Sequence, residues 1–507
     1  MTASFDLTSE PWVPCLRLDG TRVEFGLKEV FARAHEVRAL VDSSPLVTAS
    51  LHRLLLAIVH RCFGPPTLAA WAALWQQKRF DTSVTDAYLD KWRHRFDLLH
   101  PERPFYQVRG LAYEPKPASE LVLETSNYGA SVHLFEHRPR GDDGHLTLAQ
   151  AARALVATQA YKPGGLTTRA KGEPSSAGAA PLNARAISLV TGDTLWETLL
   201  LNCLKYDPVS GAPIPAGKVD VPAWESERTP VPGRREVAGW LDLLTWQSRR
   251  IELRPAPAGA GVIEVVVAGG DDLPPDVLDP QVAWRADPKA GLLAHRLRQD
   301  RAVWRDSETL LVGNAGGSDH RPRIFSQLAS LELDEVIPST RRFGLEVIGL
   351  VGDQAKILLV RQETLPISRR LLATESAWAA VREAVEHLGA VGKALEGAVW
   401  TAARRLLSPG DRDPDAKDLR NLTDSMATTE AYWARLAVPF QAFLLDLGAA
   451  REGVPLAGLL KVAVRAARDA LDHSVDGFGD GARALQAASL GRDVLEKRLA
   501  SLNEEKT

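Results

Sequence analysis

The sequence has few of the features that assign a protein of 507 residues to a functional class. It holds three widely separated cysteines and no CxxC pair, so it carries no zinc-ribbon signal, and this usage is typical of a reducing cytoplasm. Its start, MTASFDLTSEPWVPC, lacks a basic segment followed by an apolar one, which argues against a secretory signal. No uninterrupted apolar run approaches the ~20 residues of a membrane helix, so we expect no membrane partner.

Motifs of catalysis and nucleotide binding are missing as well. The chain has no GxSxG, no HExxH and no GxxxxGK[ST], and no GxGxxG follows a strand. We therefore expect no catalytic residue, no enzymatic activity and no cofactor. The formal net charge of −3 argues against a protein that is basic all over, but it permits a local basic groove.

The first two thirds of the chain mix helical and strand patterns. Asp19-Gly20 between two strand-like runs (12–18 and 22–25) predicts a hairpin, because Asp-Gly suits a two-residue turn. Apolar residues at helical spacing predict helices over 27–36, 45–62, 83–98, 147–160 and 193–204, the last with Asp193 as N-cap. Strands are predicted over 249–253, 262–268 and 308–313, with a long hairpin over 343–360 that turns at 351–354.

After Pro366 the chain becomes rich in Ala, Leu and Arg. Long helices are predicted over 376–407, 427–447, 454–474 and 480–502, with a loop over 408–419. The predicted fold class is α+β: a large mixed α/β domain over 1–370, followed by a C-terminal four-helix bundle over 371–507.

The stretch 159-QAYKPGGLTTRAKGEPSSAGAAP-181 ends a helical run with adjacent glycines at Gly164 and Gly165. One interpretation is a flexible surface loop. The other is a place where backbone approaches a ligand too closely for a Cβ atom. Lys162, Arg169 and Lys171 flank the glycines, and a cationic loop with bare backbone suits a phosphate or the floor of a groove.

Two other loops carry candidate chemistry. His133, His137, Asp142 and His145 could hold a metal ion, but Pro139 and Gly141 predict a mobile loop of mixed charge. Phe135 in the same loop could stack on a base or lie in the core. At the tip of the long hairpin, Gln354 is either a solvated turn residue or a polar wedge for a narrow groove.

These motifs together resemble the CasA family, the large subunit of the type I-E CRISPR surveillance complex Cascade. The resemblance covers nearly the whole chain. It is carried by the order and spacing of four segments: 5-FDLTSEPWVPC-15, 103-RPFYQVRG-110, 162-KPGG-165 and 353-DQA-355. The predicted architecture is also similar to that of the family.

The resemblance implies residue roles that composition does not. Gly164 and Gly165 match a loop that lies in the minor groove of the protospacer-adjacent motif (PAM). Gln354 matches a glutamine wedge beside the PAM, and Asp353 stands where family members have an asparagine. Phe135 matches an aromatic residue that meets the 5′ handle of the crRNA. With Lys162 and Lys289, these residues form the predicted nucleic-acid contacts, and because the cysteine pairs of some family members are missing, no metal is predicted.

The resemblance also implies partners: the other Cascade subunits, crRNA, double-stranded target DNA and the helicase-nuclease of the same system. The implied function is PAM recognition from the minor groove, help in opening the duplex for R-loop formation, and help in recruiting the helicase-nuclease. Two alternatives remain at this point: a metal-dependent nuclease that uses the histidine-rich loop, and a purely structural scaffold subunit.

Overall fold

A computed structural model describes residues 4–124, 145–207, 213–214, 219–257, 261–313, 320–330, 333, 335–353, 356–408, 412–449 and 456–504. The chain divides into two compact units. The first consists of Met1–Arg301, Ser318–Pro338 and Phe343–Thr364. The second consists of Ala302–Gly317, Ser339–Arg342 and Leu365–Thr507, so it includes two short segments from the middle of the sequence.

Helices occur in both units. They are α1 (Leu27–Arg33), α2 (Pro45–Phe63), α3 (Leu68–Gln76), α4 (Thr82–Trp92), α5 (Leu148–Tyr161), α6 (Leu195–Leu201), α7 (Trp240–Leu244), α8 (Ser307–Leu311), α9 (Arg323–Leu328), α10 (Arg369–Ala373), α11 (Glu375–Leu407), α12 (Ala416–Ser425), α13 (Thr428–Gly448), α14 (Leu456–Asp476) and α15 (Ala482–Glu504).

The strands form small sheets rather than one large one. They are β1 (Val13–Arg17), β2 (Arg22–Phe25), β3 (Val37–Leu40), β4 (Lys116–Pro117), β5 (Gly165–Leu166), β6 (Ser176–Ala177), β7 (Ile187–Thr191), β8 (Gly233–Arg234), β9 (Arg249–Pro255), β10 (Val262–Gly269), β11 (Asp271–Asp272), β12 (Trp284–Asp287), β13 (Gly291–Ala294), β14 (Arg342–Asp353) and β15 (Lys356–Ser368). The sheet orders are β2-β1-β3, β4-β10-β9, β15-β14-β7, β11-β8, β12-β13 and β5-β6. The mixed helix-and-sheet fold class is confirmed.

Helix α2 lies at the centre of the first unit. Ser44 caps its start by accepting a hydrogen bond from the Val47 backbone N–H, and Pro45 occupies the first turn, where its missing N–H does no harm. Among the described residues, α2 alone has the length and hydropathy of a membrane span, and 78% of that window is buried inside the protein. Such burial is what a core helix shows.

A single apolar cluster connects several of the elements that concern function. It contains Tyr161 at the end of α5, Leu182, Trp284 of β12, and Ile348 and Leu350 of β14, all of them buried. Residues of α2 and β7, together with Leu123 and Val282, complete it. Three loops predicted to contact nucleic acid therefore extend from elements that share one core.

The second unit contains the predicted helical bundle, formed by α11, α13, α14 and α15. Helix α11 packs against the other three. Tyr432 of α13 is buried, and its hydroxyl donates to the backbone oxygen of Leu388 on α11 at 2.8 Å. On the outside, exposed ion pairs such as Arg468–Glu496 connect α14 to α15.

Several local predictions are wrong. The helix predicted over 83–98 ends at Trp92, and β14 continues to Asp353, where a turn over 351–354 was predicted. The segment 308–313 was predicted as a strand, but Ser307–Leu311 forms α8, which buries Leu310 and Leu311 and packs against α11. The N-cap of α6 is Thr194, whose side chain accepts from the Glu197 N–H, and not Asp193. The loop predicted over 408–419 is shorter than expected, because α12 begins at Ala416 with Asp415 as its N-cap.

Candidate nucleic-acid interface

The glycine stretch forms a short β-hairpin, which we call the glycine hairpin (residues 162–181). It leaves the end of α5, and β5 pairs with β6 in the register Gly165↔Ala177 and Leu166↔Ser176. A further hydrogen bond joins the Thr167 nitrogen to the Ser175 oxygen at 3.2 Å. The stretch therefore forms a hairpin with paired backbone and not an irregular loop.

Both arms of the glycine hairpin are fastened to the protein at its base. Buried Arg249 at the start of β9 donates from Nη2 to the Pro163 oxygen at 2.8 Å. The Ala180 nitrogen donates to the Lys162 oxygen at 3.0 Å, which closes the hairpin at its root. Farther along the returning arm, the Gly178 nitrogen donates to Asp272 Oδ1 at 2.7 Å.

A second anchor lies in the turn of the hairpin, at Glu173. Its Oε2 accepts hydrogen bonds from Arg250 Nη2 at 2.9 Å, from the Tyr113 hydroxyl at 2.9 Å and from the Ala170 nitrogen at 3.0 Å. The hydrogen bond from Arg250 is the main reason why the pKa of Glu173 falls to about 2. This carboxylate is thus engaged with the protein and is not presented to a ligand.

The two adjacent glycines are required for different structural reasons. A Cβ atom on Gly164 would lie 2.9 Å from the Ala179 nitrogen and 3.2 Å from the Ala177 oxygen, so the returning arm leaves no space for it. Gly165 has φ of +146°, a conformation that L residues rarely adopt. The protein's own backbone therefore requires glycine at both positions.

The predicted contact residues lie in different environments. Lys162 is only 6% exposed, and its Nζ donates to Glu120 Oε1 at 3.0 Å and to the Glu120 backbone oxygen at 3.2 Å. Its ammonium is therefore not presented to solvent in this conformation, contrary to what a direct phosphate contact requires. Lys171, by contrast, is exposed, and no described residue forms an ion pair with it.

The other two described contact residues lie at the tips of hairpins. Lys289 is exposed in the turn between β12 and β13, where Asp287 Oδ1 accepts from the Lys289 nitrogen at 2.9 Å. Asp353 is the last residue of β14, at the end of the predicted long hairpin. The remaining candidates, Gln354, Phe135, His133, His137 and Asp142, lie outside the described residues; His145 is described and exposed.

Two features of the described residues bear on the metal-site and nucleophile hypotheses. No group of three or more His, Cys, Asp or Glu side chains among them could hold a metal ion. Cys203 Sγ lies 3.8 Å from His60 Nδ1, but both residues are buried. Burial lowers the pKa of His60 to about 3 and raises the pKa of the Cys203 thiol, so this pair holds neither a thiolate nor an imidazolium.

A cavity of about 360 Å³ in the first unit is lined by Tyr106, Trp224 and several arginines. Two of these arginines form ion pairs with carboxylates. Arg228 and Arg235 both donate to buried Asp271, and Arg235 also pairs with Asp242. The cavity wall therefore has little uncompensated charge for a ligand.

Fold and site together define a protein with a mixed α/β unit and a largely helical unit, in which the glycine hairpin carries the exposed cations Arg169 and Lys171. Residues 6–473 match the family model for the CRISPR-associated protein Cse1. The CRISPR-associated protein CasA/Cse1 of Thermus thermophilus is 34% identical over 522 aligned positions, which cover 99% of this chain and 98% of that protein. The chain therefore belongs to the Cse1 family of CRISPR-associated proteins.

Solved structures have the same fold. The crystal structure of CasA from Thermus thermophilus has a TM-score of 0.82 and 32% identity, covering 98% of this chain and 100% of that one. A chain of a CRISPR RNA-guided surveillance complex has a TM-score of 0.75 at 23% identity, covering 97% of this chain and 99% of that one. At this identity the second likeness concerns the fold alone.

Sequence reasoning missed the anchors and one surface residue. Arg249, Arg250 and Tyr113 lie far in sequence from the glycines, so no local pattern pairs them with the hairpin. Leu166 follows the two glycines directly, and its side chain is 92% exposed. The run GGLTT contained that signal, because an apolar residue after adjacent glycines has no obvious partner in a loop.

Proposed function

We propose that the protein is the large, non-catalytic subunit of a type I-E CRISPR surveillance complex, and that it works in the cytoplasm with the other subunits and a crRNA. Its membership of the Cse1 family supports this proposal, and so does the fold that it shares with a chain of an RNA-guided surveillance complex. In this role the protein recognises the PAM in duplex DNA from the minor groove. It then helps to open the duplex and to recruit the helicase-nuclease.

The observation that carries the proposal is the common core beneath the predicted contact loops. Tyr161 and Leu182, at the two ends of the glycine hairpin, belong to the same buried cluster as Trp284 and Ile348. Elements that share a core fix the relative positions of the helix and strand ends from which these loops extend. Such preorganisation favours the reading of a short motif, because little ordering entropy is lost on binding.

The electrostatics of the glycine hairpin agree with a DNA ligand. Arg169 and Lys171 are exposed, whereas Arg250 engages the carboxylate of Glu173. The minor groove is ~6 Å wide, so a hairpin with glycine backbone fits where bulky side chains would clash. Cations at the edges of the hairpin would then neutralise phosphates.

The test is a gel-shift assay of the reconstituted complex on duplexes with and without a functional PAM. Lys171→Glu and Gln354→Ala are compared with the wild type, with Lys461→Glu, an exposed cation on α14, as the matched control. We expect Lys171→Glu to weaken binding, Gln354→Ala to impair R-loop opening, and the control to do neither. Gly164 variants are unsuitable because they disturb the hairpin itself.

Two other outcomes would identify the alternatives. PAM-independent binding that none of the substitutions changes would leave a structural scaffold subunit. Cleavage of DNA by the isolated protein that depends on a divalent metal would indicate a nuclease.

A further inference from the structure

Leu166 has the most exposed large apolar side chain in the described part of the chain, with 92% of its surface open to solvent. Burying a leucine side chain stabilises a fold by about 1.5–3 kcal/mol, and the exposed Leu166 does not contribute this stability. Its cross-strand partner in the hairpin, Ser176, is polar and also exposed. No packing within the described structure accounts for an apolar residue here.

The backbone holds Leu166 in a defined place. It pairs with Ser176 in β6, and the next residue, Thr167, donates to the Ser175 oxygen. The anchors at Arg249 and Glu173 fix the hairpin on either side of it. A side chain that is presented in this way can enter a ligand with little further loss of conformational entropy.

The surroundings of Leu166 indicate which kind of ligand it meets. Its exposed neighbours along the hairpin are small or cationic, among them Gly165, Arg169, Lys171 and Ser175. A protein interface has an apolar core of several residues, whereas Leu166 is the one large exposed apolar side chain in the described stretch 162–181. One apolar side chain with exposed cations three and five positions further along the hairpin, Arg169 and Lys171, suits a protein that inserts an apolar wedge into the minor groove and binds a neighbouring phosphate.

We propose that Leu166 is an apolar wedge that enters the minor groove of duplex DNA and partly unstacks one base step beside the PAM. This inference rests on the proposed function and adds to it a second way in which the protein deforms the duplex. Pyrimidine–purine steps unstack most easily, so the leucine favours targets with such a step at its contact point. Specificity then arises partly from the deformability of the DNA and not only from contacts with base edges.

The experiment uses the reconstituted complex with Leu166→Ala, Leu166→Met and the control Leu485→Ala, which changes another exposed leucine, on α15. Binding is measured on PAM-bearing duplexes that carry 2-aminopurine at successive steps beside the PAM, because its fluorescence rises when a base unstacks. We expect Leu166→Ala to weaken binding about tenfold and to lower the fluorescence, since the wedge is lost. The slope of affinity against salt should not change, because no phosphate contact is removed.

Leu166→Met should keep both affinity and fluorescence near the wild-type values, because a linear apolar chain also fits between bases. Leu485→Ala should behave as the wild type. The thermal unfolding of all variants should match, since both leucines are exposed.

Three results would overturn the wedge. If Leu166→Ala keeps full affinity and fluorescence while Lys171→Glu weakens binding, the hairpin faces DNA but the leucine does not enter it. If neither change affects DNA binding, the hairpin does not face DNA and the proposed function fails with the wedge. If Leu166→Ala prevents assembly of the complex instead, the leucine covers a neighbouring protein subunit.

Discussion

A Cβ atom on Gly164 would lie 2.9 Å from the backbone nitrogen of Ala179, on the returning arm of the glycine hairpin. The sequence suggested that glycine is needed here because a DNA groove leaves no space for side chains. The structure supplies a requirement within the protein itself, because the two arms approach too closely for any side chain. Loss of DNA binding in a Gly164 variant would therefore not by itself demonstrate a contact with DNA.

Gly164→Ala should destabilise the hairpin. The new methyl group must displace backbone rather than a flexible side chain, and overpacking of this kind costs about 1–3 kcal/mol. Hydrogen exchange of the amides of Thr167 and Ala180 reports the effect locally. Gly458→Ala on α14 is the control, because a Cβ there meets nothing within 4 Å and alanine favours a helix. Equal protection of both amides in wild type and Gly164→Ala would contradict the prediction.

The anchor at Glu173 should depend on pH. Its pKa is lowered to about 2 from an ordinary value of 4.5, chiefly by the hydrogen bond from Arg250. A lowered carboxyl pKa contributes stability above the unfolded pKa, and that contribution is lost as pH falls from about 4.5 towards 2. Hydrogen exchange of the hairpin in wild type and Glu173→Gln should therefore differ by roughly 1 kcal/mol or less at pH 7.

The difference between wild type and Glu173→Gln should shrink steadily below about pH 4.5, because the glutamine variant has no carboxyl group to titrate. A difference that stays constant down to pH 3 would show that the ion pair with Arg250 does not hold the turn.

Local patterns predicted the regular elements well, and their failures have clear physical causes. The alternation of apolar and polar residues around Asp19-Gly20 predicted β1 and β2, and apolar residues at helical spacing predicted α2 and α11. The apolar run at 308–313 is so short that its periodicity does not distinguish a strand from a helix. Packing against α11 favours the helix α8. Asp193 and Thr194 are both good caps, and only the backbone geometry selects Thr194.

The candidate site was less predictable because its determinants are distant in sequence. The glycines and the flanking cations were visible, but the ion pair that removes Lys162 from the surface joins it to Glu120, 42 positions earlier. The clamp between Arg249 and Pro163 spans 86 positions. Such pairs depend on tertiary packing, and a single sequence carries no local signal for them.

The buried ion pair of Arg53 and Asp279 should be essential for the stability of the first unit. Arg53 Nη1 donates to Asp279 Oδ2 at 2.8 Å, and both side chains are almost completely buried. Arg53→Met would leave the carboxylate uncompensated, which costs about 3–5 kcal/mol. Thermal unfolding measures this loss. Arg468→Met is the control, because it breaks an exposed pair with Glu496 and should cost about 0–1 kcal/mol. Similar losses in the two variants would contradict the prediction.

Substitutions of Lys162 and Lys289 should distinguish a lysine that stabilises the protein from a lysine that binds DNA. The Lys162 ammonium is paired with Glu120 inside the protein, so Lys162→Met should lower stability by about 1–3 kcal/mol. Lys289 is exposed at the tip between β12 and β13, so Lys289→Met should leave thermal unfolding unchanged. If Lys289 contacts a phosphate, its variant weakens DNA binding by the complex and reduces the slope of log affinity against log salt by about 1. The opposite pattern, with Lys162→Met stable but deficient in DNA binding, would mean that Lys162 leaves Glu120 to meet a phosphate when DNA is bound.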